Sequence, residues 1–340
     1  MRAGVIGAGA AGLSTAIALC DLGHDVMVLD SRARDQPSPR AGHVHRLDGP
    51  GWATLERLIG PVIRAGAFET AASGLASGGA LAWGEGQRLA TLADIEAVLA
   101  TQAERRGAGL AFAAEVTSAA AEGDRWRLGM ASGAHRTFDL LIDASGRRRV
   151  LLDLLGEVGP SVWMDELDCP EWHVSFAGVG PAGRPVQVAW AARDLEGLIQ
   201  IDGAGRATVT ARSGMSQPLS TDEILAAMQA AGGAAMGMLL EGLKLRPDAL
   251  RYVSLGTRMM ALDEADLGDW PPFVLVGDAL IEAPPRHGEG MGRAIGQALM
   301  LAEHLGCASP ETCATDLTRE ARARWAGYGI AQALRSAVVA

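Results

Sequence analysis

The sequence predicts an α/β protein of two domains, one with helices around a parallel sheet and the other built on an antiparallel sheet. Three observations predict it. Residues 2–30 read strand, glycine-rich turn, helix, strand, and both strands (3–6 and 26–29) are short, nearly continuous apolar runs. Runs of that kind suit parallel strands buried on both faces. Two more occur far downstream, at 138–144 and 273–276. Between about 155 and 268 the pattern changes: 172–177, 185–192, 197–202 and 207–212 are runs parted by Gly and Asp-Gly turns, as antiparallel strands are.

In chain order, residues 9–22 carry Leu13, Ile17, Leu19 and Leu22 at helical spacing, and Gly23 stands where a helix ends. Residues 32–50 are polar, hold three prolines and read as an active-site loop. A helix follows over 91–107, with Ile95, Leu99 and Ala103 on one side. Residues 221–231 form a helix capped by Ser220 or Thr221, with Glu223 in its first turn. A long helix runs over 290–305, and 311–340 is a C-terminal helical segment. The first domain is therefore discontinuous (1–50, 88–155 and 269–310), and the second takes 51–87 and 156–268.

Composition bounds the function. Hydrophobic residues make up 49% and charged residues 21% of 340, the balance of a globular chain. A net charge of -10 argues against nucleic acid or an anionic membrane face as partner. Cys20, Cys169, Cys307 and Cys313 form no C-x-x-C pair, so neither a metal site nor a disulfide framework is expected, and a cytoplasmic home is. No uncharged apolar stretch reads as a membrane-spanning helix, and the apolar start runs directly into the glycine turn rather than forming a signal peptide.

Gly7-Ala8-Gly9-Ala10-Ala11-Gly12 fits G-x-G-x-x-G. Gly7 permits the sharp turn, Gly9 lets the backbone approach a pyrophosphate, and Gly12 lets the helix lie close on the sheet. The helix start offers N–H groups and a positive dipole end to the anion. Asp30 ends the second strand, where an acid accepts from ribose hydroxyls. The motif predicts a Rossmann-like dinucleotide domain without choosing the dinucleotide. Two distant companions point to FAD. One is Asp143-Ala144-Ser145-Gly146-Arg147. The other is Gly277-Asp278-Ala279 followed by Pro284-Pro285-Arg286-His287-Gly288-Glu289-Gly290-Met291-Gly292. A strand ending in Gly-Asp places a carboxylate near a sugar or ribityl hydroxyl. A glycine-rich helix start aims N–H groups at the charge of a reduced flavin.

Taken together, these motifs resemble the p-hydroxybenzoate-hydroxylase-like superfamily of FAD enzymes, which includes aromatic monooxygenases, flavin-dependent halogenases and geranylgeranyl-reductase-like enzymes. Arg40-Ala41-Gly42-His43-Val44-His45 with Leu47 is similar to the G-x-H-x-H-x-L segment of a monooxygenase branch. The resemblance implies that Gly7, Gly9, Ala11 and Gly12 border the pyrophosphate. Asp30, Ser31 and Arg32 would hold the AMP half, and Gly277 and Asp278 the ribityl–pyrophosphate region. Pro285, Gly288, Gly290 and Met291 would border the isoalloxazine, and Arg40 and His43 would also bind the cofactor. Where many members carry an Arg just before the helix whose body spans 94–106, Leu92 or Ala93 stands here.

For chemistry, His43 and His45 alternate and share a face if extended. His287 and Glu289 flank Gly288 at the expected flavin edge. These four are the candidate proton donors or relays; a packed loop and a simple helix start are the plain alternatives. Arg286 could hold an anionic group. Trp83, Trp163, Trp172 and Trp190 could stack an aromatic substrate, although such residues are more often core. Lys244 is the sole lysine and no W-x-W-x-I-P is present, which weighs against halogenation through a lysine adduct. The resemblance implies monooxygenation of a small aromatic or polycyclic molecule through a flavin C4a-hydroperoxide, with NAD(P)H or a separate flavin reductase supplying electrons. A reductase or dehydrogenase without oxygen insertion, or a flavoprotein modifying a partner protein's side chain, are the alternatives.

Overall fold

The computed structural model describes residues 1–36, 44–47, 49–60, 69–156, 159–167, 172–192, 195–213, 220–245, 257–262, 269–282 and 290–339. The element order begins β1 (Arg2–Ile6), α1 (Ala10–Asp21), β2 (Asp25–Leu29), β3 (Val44–Leu47), α2 (Gly49–Ile59), β4 (Glu69–Ser77), β5 (Ala80–Thr91) and α3 (Leu92–Arg105). It continues with β6 (Gly109–Ala111), β7 (Val116–Glu122), β8 (Arg125–Met130), β9 (His135–Phe138), β10 (Leu140–Asp143) and α4 (Val150–Leu155). Next come β11 (Val162–Leu167), β12 (Trp172–Val179), β13 (Val186–Ala192), β14 (Leu195–Ile201), β15 (Arg206–Ser213) and α5 (Thr221–Glu241). The last are β16 (Lys244–Leu245), β17 (Thr257–Leu262), β18 (Phe273–Leu275), α6 (Gly290–Leu305) and α7 (Pro310–Val339).

The four apolar runs that predicted a parallel sheet form one. Its order is β18-β10-β1-β2-β6, and every pairing in it is parallel. Its residues are buried on both faces, Val5, Val28, Ile142 and Val274 among them. α1, α3 and α6 pack on it and on one another through Leu13, Ile17, Ile95, Leu99 and Ile295. A β7-β8-β9 meander is inserted before β10, tied down by Trp126. That indole is fully buried, stacked on Trp270, edge-on to Phe273, and donates to the carbonyls of Pro271 and Pro272 at 3.0 and 2.9 Å.

The second sheet has eight strands in the order β16-β12-β15-β14-β13-β4-β5-β3. Its consecutive strands pair antiparallel, as the turns predicted, but β13 meets β4 in parallel. These two strands are far apart in the chain, so no hairpin dictates their direction. Residues 32–50 are not all loop: β3 pairs antiparallel with β5, and α2 starts at Gly49 and packs on α1 and α6. Val44 and Leu47 are buried, and these two apolar positions set the short strand that the polar composition masked.

α5 runs ten residues past the predicted stop at 231, bending at Gly233 (φ 56°, ψ −140°) and resuming. Its most apolar 18 residues have a mean hydropathy of 1.3, so by length and composition alone it could cross a membrane, contrary to the sequence reading. Here it lies on β4, β5 and β13, burying Ile224, Met228, Ala231 and Met236.

Candidate functional site: a glycine turn, an acid–arginine clasp and the start of α6

At the end of β1 the chain turns at Gly7 with φ +105°, a conformation that favours glycine. A Cβ there would lie 2.6 Å from the Ala144 carbonyl oxygen, so the turn presses directly on the end of β10. A Cβ on Gly12 would lie 1.9 Å from the Gly7 carbonyl oxygen. Gly9 differs: a Cβ there meets only Glu96 Oε1, at 3.8 Å. α1 has no side-chain cap and no acid in its first turn, so its first N–H groups and positive dipole end face this open side.

Asp30 closes one flank. Its Oδ2 accepts from the Ala8 N–H (2.7 Å) and Arg32 Nη2 (3.0 Å). Its Oδ1 accepts from the Arg32 N–H (2.8 Å) and Nε (3.0 Å). Burial pushes this carboxyl up, but the Arg32 pair and the two backbone N–H groups outweigh it and hold it below the usual range. A carboxylate has about four acceptor positions, and Arg32 and Ala8 take them here. The spacing argument gave Asp30 to a ribose; a ribose hydroxyl would have to displace an Arg32 contact.

Arg32 also reaches Glu96 on α3, with Nη1 at 3.5 Å from Oε2. Burial raises the Glu96 carboxyl, and Arg32 offsets only part of that. Sequence reasoning missed Glu96. It follows Ile95 on the helix, and nothing in its spacing marks it as facing Gly9. Ser31 is exposed and accepts from Arg148 Nη1 at 3.2 Å.

The Asp143 segment is structural. Its buried carboxylate accepts from Ser145 N–H and Oγ and from the Leu151 N–H, fixing the turn into α4. Burial nonetheless pushes the Asp143 carboxyl up. Arg149, in the left-handed region at φ 44°, donates to Glu282 at 3.2 Å and to the Ala279 carbonyl at 3.3 Å, joining this turn to the one after β18.

Gly277 sits at φ +64°, and a Cβ there would lie 2.8 Å from Ala11 Cβ, which brings the end of β18 against the start of α1. Its N–H donates to Gln297 Oε1 at 2.7 Å. The neighbouring Asp278 carboxylate is part-exposed, with Arg293 Nη2 at 3.4 Å. Gly290 opens α6, and Met291 packs part-buried against the core. His45 is part-buried on β3 opposite Ala90. Arg40, His43, Pro285, Arg286, His287, Gly288 and Glu289 lie outside the described residues. Of the four tryptophans, Trp190 is core, packed beneath Gly197. Trp163 is exposed on β11 under the Arg322 guanidinium. The side chains of Trp83 and Trp172 lie outside the described residues.

The turn thus brings together Gly9, the free start of α1, Asp30–Arg32, Gly277–Asp278 and, by one turn of packing, the start of α6. Residues 1–47 match the family described as FAD binding domain. Over those 47 residues the chain is similar to an FAD-binding domain. Solved structures with the same fold include a 2-methyl-3-hydroxypyridine-5-carboxylic acid oxygenase (mutant C294A), at 20% identity and TM-score 0.69, covering 98% of this chain and 92% of that one. The flavin-dependent brominase Bmp2 matches at 14% and TM-score 0.70, covering 92% and 80%. The peptidyl tryptophan dihydroxylase QhpG matches at 20% and TM-score 0.62, covering 93% and 72%. No curated protein matches the chain. These likenesses bear out the two-part α/β fold, and the match over residues 1–47 agrees with the reading of the glycine turn.

Proposed function

We propose that this FAD-binding chain is a monooxygenase of small aromatic or polycyclic organic molecules. The observation that carries the reading is the uncapped, acid-free start of α1 facing open space at Gly9, in the one turn where Gly7 and Gly12 leave no room at all. A cradle with one open glycine between two filled ones fits a pyrophosphate. FAD, when bound, supplies the reduction of dioxygen and the transfer of one oxygen atom.

The chain's own residues bind, orient and exclude water. Gly7, Gly9, Ala11 and Gly12 line the pyrophosphate, while Asp30, Ser31 and Arg32 take the AMP half. Gly277 and Asp278 approach the ribityl chain. Gly290 and Met291 turn the positive end of α6 toward the electron-rich edge of the ring, where it stabilises negative charge. Arg40, His43, Pro285 and Gly288 complete the border of the ring. His43, His45, His287 and Glu289 are the proposed proton carriers. The eight-stranded sheet supplies the wall for the substrate. NAD(P)H, or a separate flavin reductase, delivers the electrons, and the cysteine pattern suits a reducing cytoplasm.

The test is reconstitution with FAD, read at 450 nm, then reduction and exposure to ¹⁸O₂ with a panel of simple and polycyclic phenols. One labelled oxygen atom in a product is expected. Reoxidation that yields only hydrogen peroxide across the panel would overturn oxygen insertion and leave a reductase or dehydrogenase.

A further inference from the structure

A cavity of about 470 Å³ lies between α2, α6 and α7. Arg293 and Gln297, one helical turn apart on α6, both line it and both are almost fully buried. The Arg293 side chain is 1% exposed. Its Nη2 donates to the Ile281 carbonyl at 2.7 Å and makes a long contact with Asp278. Its Nε and Nη1 have no partner among the described residues. Gln297 spends its Oε1 on the Gly277 N–H, and its Nε2 has none either. A buried guanidinium with idle N–H groups is costly unless something accepts from them.

The far wall is α7. Glu320 and Arg324 pair with each other there, and Glu320 Oε2 is buried with no partner among the described residues. The remaining walls are Pro50 and Met300, the backbones of Gly51, Gly292 and Gly296, and Thr54, whose hydroxyl donates to the Pro50 carbonyl. Ala294, the residue after Arg293, faces Gly277 and the start of α1. A step of about 100° per residue turns Arg293 away from that glycine cradle.

We propose that this cavity binds a small planar organic carboxylate, its two oxygens on Arg293 with support from Gln297 Nε2. A guanidinium fork matches a carboxylate in plane. Two guanidinium groups stand beside two carboxylates, Glu320 and Asp278, so the site suits a monoanion better than a dianion. The idle Glu320 oxygen favours a ligand carrying a hydroxyl or amino donor at its other end, and disfavours a dianion such as phosphate. The inference stands on Arg293 and Gln297 and does not depend on oxygen insertion.

Calorimetric titration of the FAD-loaded protein tests it, with benzoate as probe, benzamide as its neutral isostere and inorganic sulfate as competitor. Saturable binding of benzoate is expected, with benzamide at least about tenfold weaker, since it cannot form the charged pair. Arg293→Lys keeps the charge but loses the fork, and should also weaken benzoate by about tenfold or more. Arg293→Met should abolish binding; if that variant does not fold, Arg293→Lys and the benzamide contrast decide alone. Equal affinity for benzoate and benzamide, or unchanged binding by Arg293→Lys, overturns the proposal. So does sulfate displacing benzoate at equal concentration. Loss of the 450 nm absorbance on adding benzoate would assign the cavity to the flavin and overturn it too. Benzoate binding through Arg293 in a protein that inserts no oxygen would sustain this inference while the monooxygenase reading fell.

Discussion

Gly9 and Gly12 share one turn but carry different constraints. A side chain at Gly12 collides with the Gly7 carbonyl, so Gly12→Val should fail to give folded protein, read by circular dichroism. A side chain at Gly9 enters open space, so Gly9→Val should fold with a near-normal melting temperature and lose FAD. A Gly9→Val protein that stays yellow and fully loaded contradicts the placement of the pyrophosphate. Glu96 adds a pH dependence. Its folded-state carboxyl is raised above the ordinary value of 4.5, mainly by burial. The stability it contributes is therefore present below that ordinary value and lost as pH rises through the folded one. Glu96→Gln should then raise the melting temperature at pH 7–8, by about 2 °C for a gain near 1 kcal/mol, and change nothing at pH 4. The same variant should hold FAD more tightly at neutral pH, because a carboxylate no longer faces the phosphates. A melting temperature that falls at pH 7 would show that the Arg32 pair outweighs the burial of Glu96.

α5 shows how far local signals carry an element. Ser220 and Glu223 form a reciprocal capping box: the Ser220 hydroxyl accepts from the Glu223 N–H and the Glu223 carboxylate from the Ser220 N–H. That start was legible in the sequence, with Ser220 or Thr221 as the cap and Glu223 in the first turn, and Ser220→Ala should cost about 1 kcal/mol in urea unfolding. The end was not legible. Gly232-Gly233 reads as a stop, yet the helix resumes because Gly233 bends over the β4–β5 turn. A Cβ there would lie 2.6 Å from the Gly79 carbonyl oxygen. Gly233→Ala combines that clash with a positive φ and should cost on the order of 1–3 kcal/mol or more; a neutral effect would mean that the bend is not fixed by this contact. The same division runs through the protein. Parallel strands were legible because burial on both faces writes unbroken apolar runs, as at 26–29 and 138–144. β4 and β5 were not, because Ala, Gly and Ser fill much of them and carry little alternation, and β11 was not, because V-W-M-D-E-L sets three apolar residues before two acids instead of alternating. In the candidate site, the glycine turn and Asp30 were legible because backbone geometry demands those residue types. Glu96, Arg293 and Gln297 were not, because only tertiary packing aims them.

α7 packs across the β11–β17 ladder and the edge of the parallel sheet. Cys313, Leu317, Ala321, Trp325 and Tyr328 recur at helical spacing and are buried, against α6, β17 and β18. Trp325 Nε1 donates to Asp165 Oδ2 at 2.7 Å, which ties the helix to the β11–β17 ladder, while β18 belongs to the parallel sheet. A helix anchored on both should leave its seat only when the core opens. Cys313 reports that event, being buried with its thiol pushed up to about 11, first by burial and then by Asp316. Cys307, in the turn between α6 and α7, is exposed. In a protein whose other cysteines are replaced by serine, labelling of Cys313 by a disulfide reagent at pH 8 should be slower than labelling of Cys307 alone by orders of magnitude. Its rate should climb with urea along the same slope as global unfolding, since the free energy that opens the site is then the whole stability. A Cys313 rate that is fast and insensitive to urea would mean that α7 detaches by itself. The Arg293 cavity, walled by that helix, would then be open in solution, and its affinity for benzoate would fall in step with the fraction of molecules in which α7 is docked.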